Sequence, residues 1–132
     1  MTFTTAGLNI GSSDTAEYML DVKGDIRITS ASLQYQENLD VDTGSEVIAS
    51  IETGSFTSAF FDYTLSSGSN ARAGTVMSVW NSTNVEYTEI STFDIGTTGD
   101  VIFDVSLSGS YINLNAVTAT NDWTIKTLVR TL

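Results

Sequence analysis

Asp40, Asp42 and Glu46, in the run DVDTGSE, set carboxylates on nearly alternate residues around a turn, the way loops gather oxygen ligands for a hard cation such as Ca2+. The run lacks the further Asp or Asn and the distant bidentate Glu of an EF-hand. Asp40 and Asp42 are therefore candidate metal ligands, with Ca2+ the fitting ion and a solvated acidic turn the competing reading. Trp80, beside the Asn81 turn, is a candidate ligand-surface aromatic, since an amphipathic ring suits a wet recognition surface. Core membership is its alternative. Trp123, in phase with Ile125 and Val129, reads as core.

Catalytic chemistry finds little to work with. The chain has no Cys and no His, which removes the thiolate nucleophile, the commonest general base and the usual partner of a nucleophilic Ser. Lys23 and Lys126 are the lysines, so a Ser–Lys dyad has few candidates. Sixteen acidic residues always offer some spacing that suits glycoside hydrolysis, yet none singles out a pair. The chain reads as non-catalytic, with no cofactor. Arg72 and Asp62 share strand parity across a five-residue connection, which reads as a structural or intersubunit ion pair.

A formal net charge of -11 has the wrong sign for a surface that neutralises phosphates, so nucleic acid is not an expected partner. No window approaches the ~20 apolar residues needed to cross a bilayer, and the first residues lack the basic stretch of an export signal, so membrane insertion is not expected. At 132 residues the chain is long enough for one domain with a real core.

The elements that must hold these residues are strands. Thr, Val, Ile, Tyr and Phe fill short runs broken by Gly, Ser, Asn and Asp, without a 3.6-residue apolar stripe. Val101, Phe103, Val105 and Leu107 alternate with Ile102, Asp104, Ser106 and Ser108. A two-residue turn at Gly109-Ser110 places Leu107 opposite Ile112, Val105 opposite Leu114 and Phe103 opposite Ala116. A further turn at Asn121-Asp122 sets Ile125 opposite Thr118 and Val129 opposite Leu114, a meander unless the strands split between sheets. The hairpin SAFFDYTLSSGSNARAGTVMSVWN, with a loop over residues 66–70, puts Ala59, Phe61, Tyr63 and Leu65 on one face with Ala71, Ala73, Met77 and Val79. Phe60, Val76 and Trp80 fall on the other, so both faces are partly apolar and expect cover. Gly74 marks a bulge, a close backbone approach or a simple bend.

Together these features predict an all-β chain: an antiparallel β-sandwich, jelly-roll-like, over residues 46–132, preceded by an N-terminal shaft-like or attachment segment over 1–45. Within that segment LDVKGDIRI (residues 20–28) is too short to bury its own apolar face. It expects either copies of itself or a hairpin turning at Lys23-Gly24.

The blocks YQENLDVDTGSEV, AFFDYTLSSGSNARAGTVMSVWN, VEYTEISTFDIGTTGDV and WTIKTLVRTL, in that order, resemble structural proteins of tailed-phage virions, and LDVKGDIRI resembles the β-structured shafts of phage fibres. The resemblance implies a virion location and a β module of a tail fibre, appendage or capsid decoration. It also implies a homotrimer, contacts with other virion proteins and binding to a host-surface glycan. A carbohydrate-binding module of cellular origin and a polysaccharide depolymerase subunit are the alternative functions.

Overall fold

The computed structural model describes residues 1–4, 7–11 and 18–132. Strands make up 69% of the described residues, and no helix occurs among them. In chain order they are β1 (Thr2–Thr4), β2 (Gly7–Ile10), β3 (Leu20–Val22), β4 (Ile26–Ile28), β5 (Ala31–Val41) and β6 (Gly44–Glu52). β7 (Ser58–Ser67), β8 (Asn70–Trp80), β9 (Val85–Ser91), β10 (Val101–Ser108), β11 (Tyr111–Thr118) and β12 (Trp123–Thr131) follow.

A six-stranded antiparallel sheet of order β4-β5-β12-β7-β8-β9 faces a three-stranded antiparallel sheet of order β10-β11-β6. The period-2 alternation of each strand turns one apolar row inward. Phe61, Leu65, Val76, Ile125 and Val129 come from the larger sheet, and Ile51, Phe103, Val105, Ile112 and Leu114 from the smaller. The Tyr63 and Phe103 rings meet across the layers at 4.5 Å between centroids. The arrangement is sandwich-like, with one shared core. β1, β2 and β3 form a third, small sheet in which β2 and β3 run parallel.

The β10–β11 register is the predicted one, with Phe103 opposite Ala116, Val105 opposite Leu114 and Leu107 opposite Ile112. Phe103, Leu114 and Ile125 are buried as expected. The meander does not continue. β11 takes β6 as its second neighbour, and β12 crosses to the larger sheet between β5 and β7, with Ile125 opposite Leu65 and Val129 opposite Phe61. Alternation dictates which side of β12 faces the core, and Trp123, Ile125 and Val129 do face it. It does not dictate from which sheet they do so.

The β7–β8 hairpin also departs from expectation. Pairing runs through Ser67↔Asn70, so the connection is the two-residue turn Gly68-Ser69, with Gly68 at φ +58 where a glycine is favoured. A loop shortened in this way flips the parity of the return strand. Arg72, Val76, Ser78 and Trp80 share the inward face with Phe61, Tyr63 and Leu65, whereas Ala73 and Val79 are exposed. Outside, the Arg130 guanidinium covers the Phe60 ring at 5.0 Å.

Gly74 is a close approach rather than a bulge, since the β7–β8 register runs through it unbroken. A Cβ there would lie 2.4 Å from the Ile90 carbonyl oxygen and 2.9 Å from the Tyr63 hydroxyl. The N-terminal segment differs too. β3 pairs with β2 and β4 with β5, so no hairpin turns at Lys23-Gly24. β5 pairs with β12 from Ser32↔Thr131 to Trp123↔Val41, which places residues before 46 in the sandwich itself. A three-residue strand such as β4 cannot stand alone, and this sheet supplies the neighbour it needs.

Candidate functional site

Asp40 is the penultimate residue of β5, Asp42 lies in the turn to β6, and Asp122 lies between β11 and β12. Because β12 runs beside β5, this connection meets the β5–β6 turn. One carboxylate oxygen from each of the three exposed residues lies within 4.8 Å of the others. Backbone bonds clasp the two loops: Asp122 N–H donates to Asp42 Oδ1 at 3.3 Å, and Thr43 N–H donates to Asn121 Oδ1 at 2.9 Å. Glu46 is drawn off, accepting from the Asp42 N–H. Three carboxylates at this spread match the ligand chemistry of a hard cation, with water completing its shell. Asp40 and Asp42 are thus brought together. Asp122 was missed because the contact spans loops far apart in sequence, and its only local signal is the Asn121-Asp122 turn.

Trp80 lies where the corrected hairpin parity sends it, in the core at 7% exposure. Its indole N–H donates to the Thr53 carbonyl at 3.3 Å. It lines a cleft of about 310 Å³ together with Phe56, Ser82 and Leu107. Buried to this extent, Trp80 is a core residue rather than a surface platform.

The parity flip also separates Arg72 from Asp62. Asp62 lies outside, where Arg130 Nε donates to its Oδ2 at 2.9 Å and the Thr75 hydroxyl to its Oδ1 at 2.7 Å. Partial burial pushes the Asp62 carboxyl up, but these bonds outweigh it and hold the group below its ordinary value.

Arg72 turns inward, its side chain 10% exposed. Its Nε donates to the Tyr63 hydroxyl at 3.0 Å, Nη1 to the Thr98 carbonyl and hydroxyl at 3.2 Å each, and Nη2 to the Val101 carbonyl at 3.1 Å. Glu89 Oε1 lies 3.3 Å from Nη2 and accepts a hydrogen bond from the Tyr63 hydroxyl. Every nitrogen of the guanidinium is committed to a protein acceptor. Burial first, and then the bond to Glu89, push the Tyr63 hydroxyl up to about 12. This nest ties β8 and β9 to the segment that leads into β10. It works as an anchor and leaves no donor for a ligand.

Sequence reasoning also missed a polar cleft of about 340 Å³ at the β4–β5 edge, lined by Asp25, Arg27, Gln34, Ser50, Glu52 and Tyr111 among others. Arg27 sits over the Phe56 ring at 5.5 Å. Beside the cleft, Gln36 bonds the Ser50 backbone in both directions, accepting its N–H at 2.8 Å and donating to its carbonyl at 3.0 Å. The Gln34 and Gln36 alternation was the available signal, but only the fold shows that it looks across a gap between sheets.

No protein-family model, curated protein or solved structure matches the chain.

Proposed function

We propose that this chain is a non-catalytic structural module of a phage virion, an appendage, fibre or head-decoration β module that works by association. It assembles with other virion proteins and with copies of itself, a homotrimer being the assembly its sequence resemblance implies. The observation that carries the reading is the apolar surface of the segment from Tyr18 to Ile28. Tyr18, Met19, Leu20 and Ile28 are 71%, 85%, 56% and 58% exposed. Large side chains gathered on a short stretch mark a surface that a partner covers. The commitment of Arg72, Gln36 and Trp80 to internal bonds supports it further, since these groups anchor the sandwich instead of meeting a substrate.

Host-surface glycan binding belongs to the same reading. The β4–β5 cleft, with Asp25, Arg27, Gln34 and Glu52 around it, carries the donors and acceptors that sugar hydroxyls require. Immunogold labelling of purified virions with antibody to this chain tests the proposal. Gold on the tail appendages or capsid is expected; gold confined to the host cell, with bare virions, overturns it.

A further inference from the structure

β9 ends the six-stranded sheet; its one hydrogen-bonded strand neighbour among the described residues is β8, and β10 of the facing sheet also lies against it. Every residue from Glu86 to Ser91 is exposed, on both faces of the strand. Sheet edges are ordinarily guarded by short strands, Pro, Lys, bulges or inward-pointing charges. β9 has seven residues, no Pro and no Lys or Arg, and its register against β8 is unbroken. Its inward charge, Glu89, is already bound by Tyr63 and Arg72 and does not guard the edge. Of the other edges, β4 has only three residues, Gln36 bonds the Ser50 backbone of β6 in both directions, and β10 shares with β9 the Tyr87–Asp104 bond at 3.2 Å.

The hydrogen bonds at its two ends set the parity of β9. Asn81 N–H bonds the Asn84 carbonyl at 3.0 Å, and Thr92 N–H bonds the Ala73 carbonyl at 2.8 Å. Even-numbered residues therefore turn their backbone groups toward β8. Val85, Tyr87, Glu89 and Ser91 point theirs at the free edge.

We propose that β9 pairs with β9 of a second copy of this chain, antiparallel about a two-fold axis at Thr88, so that the two six-stranded sheets become continuous. In this register Thr88 faces Thr88, Tyr87 faces Glu89, Glu86 faces Ile90 and Val85 faces Ser91. The outward-pointing residues become the hydrogen-bonded pairs, giving about eight backbone bonds along the whole strand. The charge pattern points to a copy as the occupant. Although the chain carries a net charge of -11, no carboxylate in this register stands opposite another, and Glu86 lies against the apolar Ile90. Like charges directly opposite would oppose pairing. Just past the strand, Phe93 at 98% exposure stands at the end where the partner's Asn81–Asn84 turn arrives.

The absence of cysteine makes the test clean. Facing residues of a non-hydrogen-bonded antiparallel pair lie about 4.5 Å apart at Cα, within disulfide reach. T88C under mild oxidation is expected to form a covalent dimer of twice 14.2 kDa, at least tenfold faster than S69C in the β7–β8 turn. T88K sets two ammonium groups against each other on the axis, and Y87P deletes an edge N–H that the single chain does not use. Each is expected to weaken dimerisation at least tenfold by sedimentation equilibrium, with the far-ultraviolet spectrum retained. Should Y87P unfold, T88K carries the test. Equal crosslinking rates for T88C and S69C, or dimer affinity unchanged in T88K, overturns the proposal.

Discussion

Arg72→Met replaces the guanidinium with an apolar chain of comparable reach and removes every donor that Arg72 gives the nest. The Thr98 and Val101 carbonyls lose their charged partner, and Glu89 keeps only the Tyr63 hydroxyl. Removing one partner of a buried ion pair costs about 3–5 kcal/mol. Glu89 is 30% exposed, so water recovers part of its solvation and the loss belongs near the lower figure, about 3 kcal/mol. Set against a typical domain stability of roughly 5–15 kcal/mol, this is a large share. At about 4 °C per kcal/mol it lowers the melting temperature by about 12 °C. Urea unfolding followed by tryptophan fluorescence measures it, with an unchanged m-value showing that the comparison is like for like. A loss under about 1 kcal/mol would refute the reasoning. It would mean that Arg72 is not an anchor and is free to meet a ligand.

Gly74→Ala forces a methyl group against the Ile90 carbonyl and the Tyr63 hydroxyl, and is expected to cost about 1–3 kcal/mol by displacing β9; chemical denaturation checks it. Phe103→Ala, which empties the contact with Tyr63, is expected to cost about 3–5 kcal/mol, read as a lowered melting temperature. Tyr63 holds its proton more tightly when folded than its ordinary value of 10.0 allows. Its contribution is full below pH 10 and is lost as pH rises toward the folded value of about 12. Tyr63→Phe should therefore lose less stability than the wild type over that interval, as alkaline melting curves will show.

What was legible in the sequence is what neighbouring residues decide. Gly109-Ser110 leaves one sensible turn, and the alternation from Val101 to Leu107 then fixes every β10–β11 pair. The run SSGSN offers several turns, and the choice among them decides whether Val76 and Trp80 face the core or the solvent. Reading five loop residues where the chain uses two sent Trp80 to the surface and paired Arg72 with Asp62. The destination of β12 was hidden for a different reason. Its inward residues suit either sheet, and the decision rests on β6 filling the place beside β11. Asp122 joins Asp40 and Asp42 only because of that crossing. The Arg72 nest likewise depends on where Thr98 and Val101 come to lie, and no spacing near Arg72 announces them.

Light scattering on the purified chain at micromolar to hundreds of micromolar concentration tests most directly the claim that it works by association. A mass that rises with concentration to a multiple of 14.2 kDa is predicted. A monomer at every concentration would contradict it.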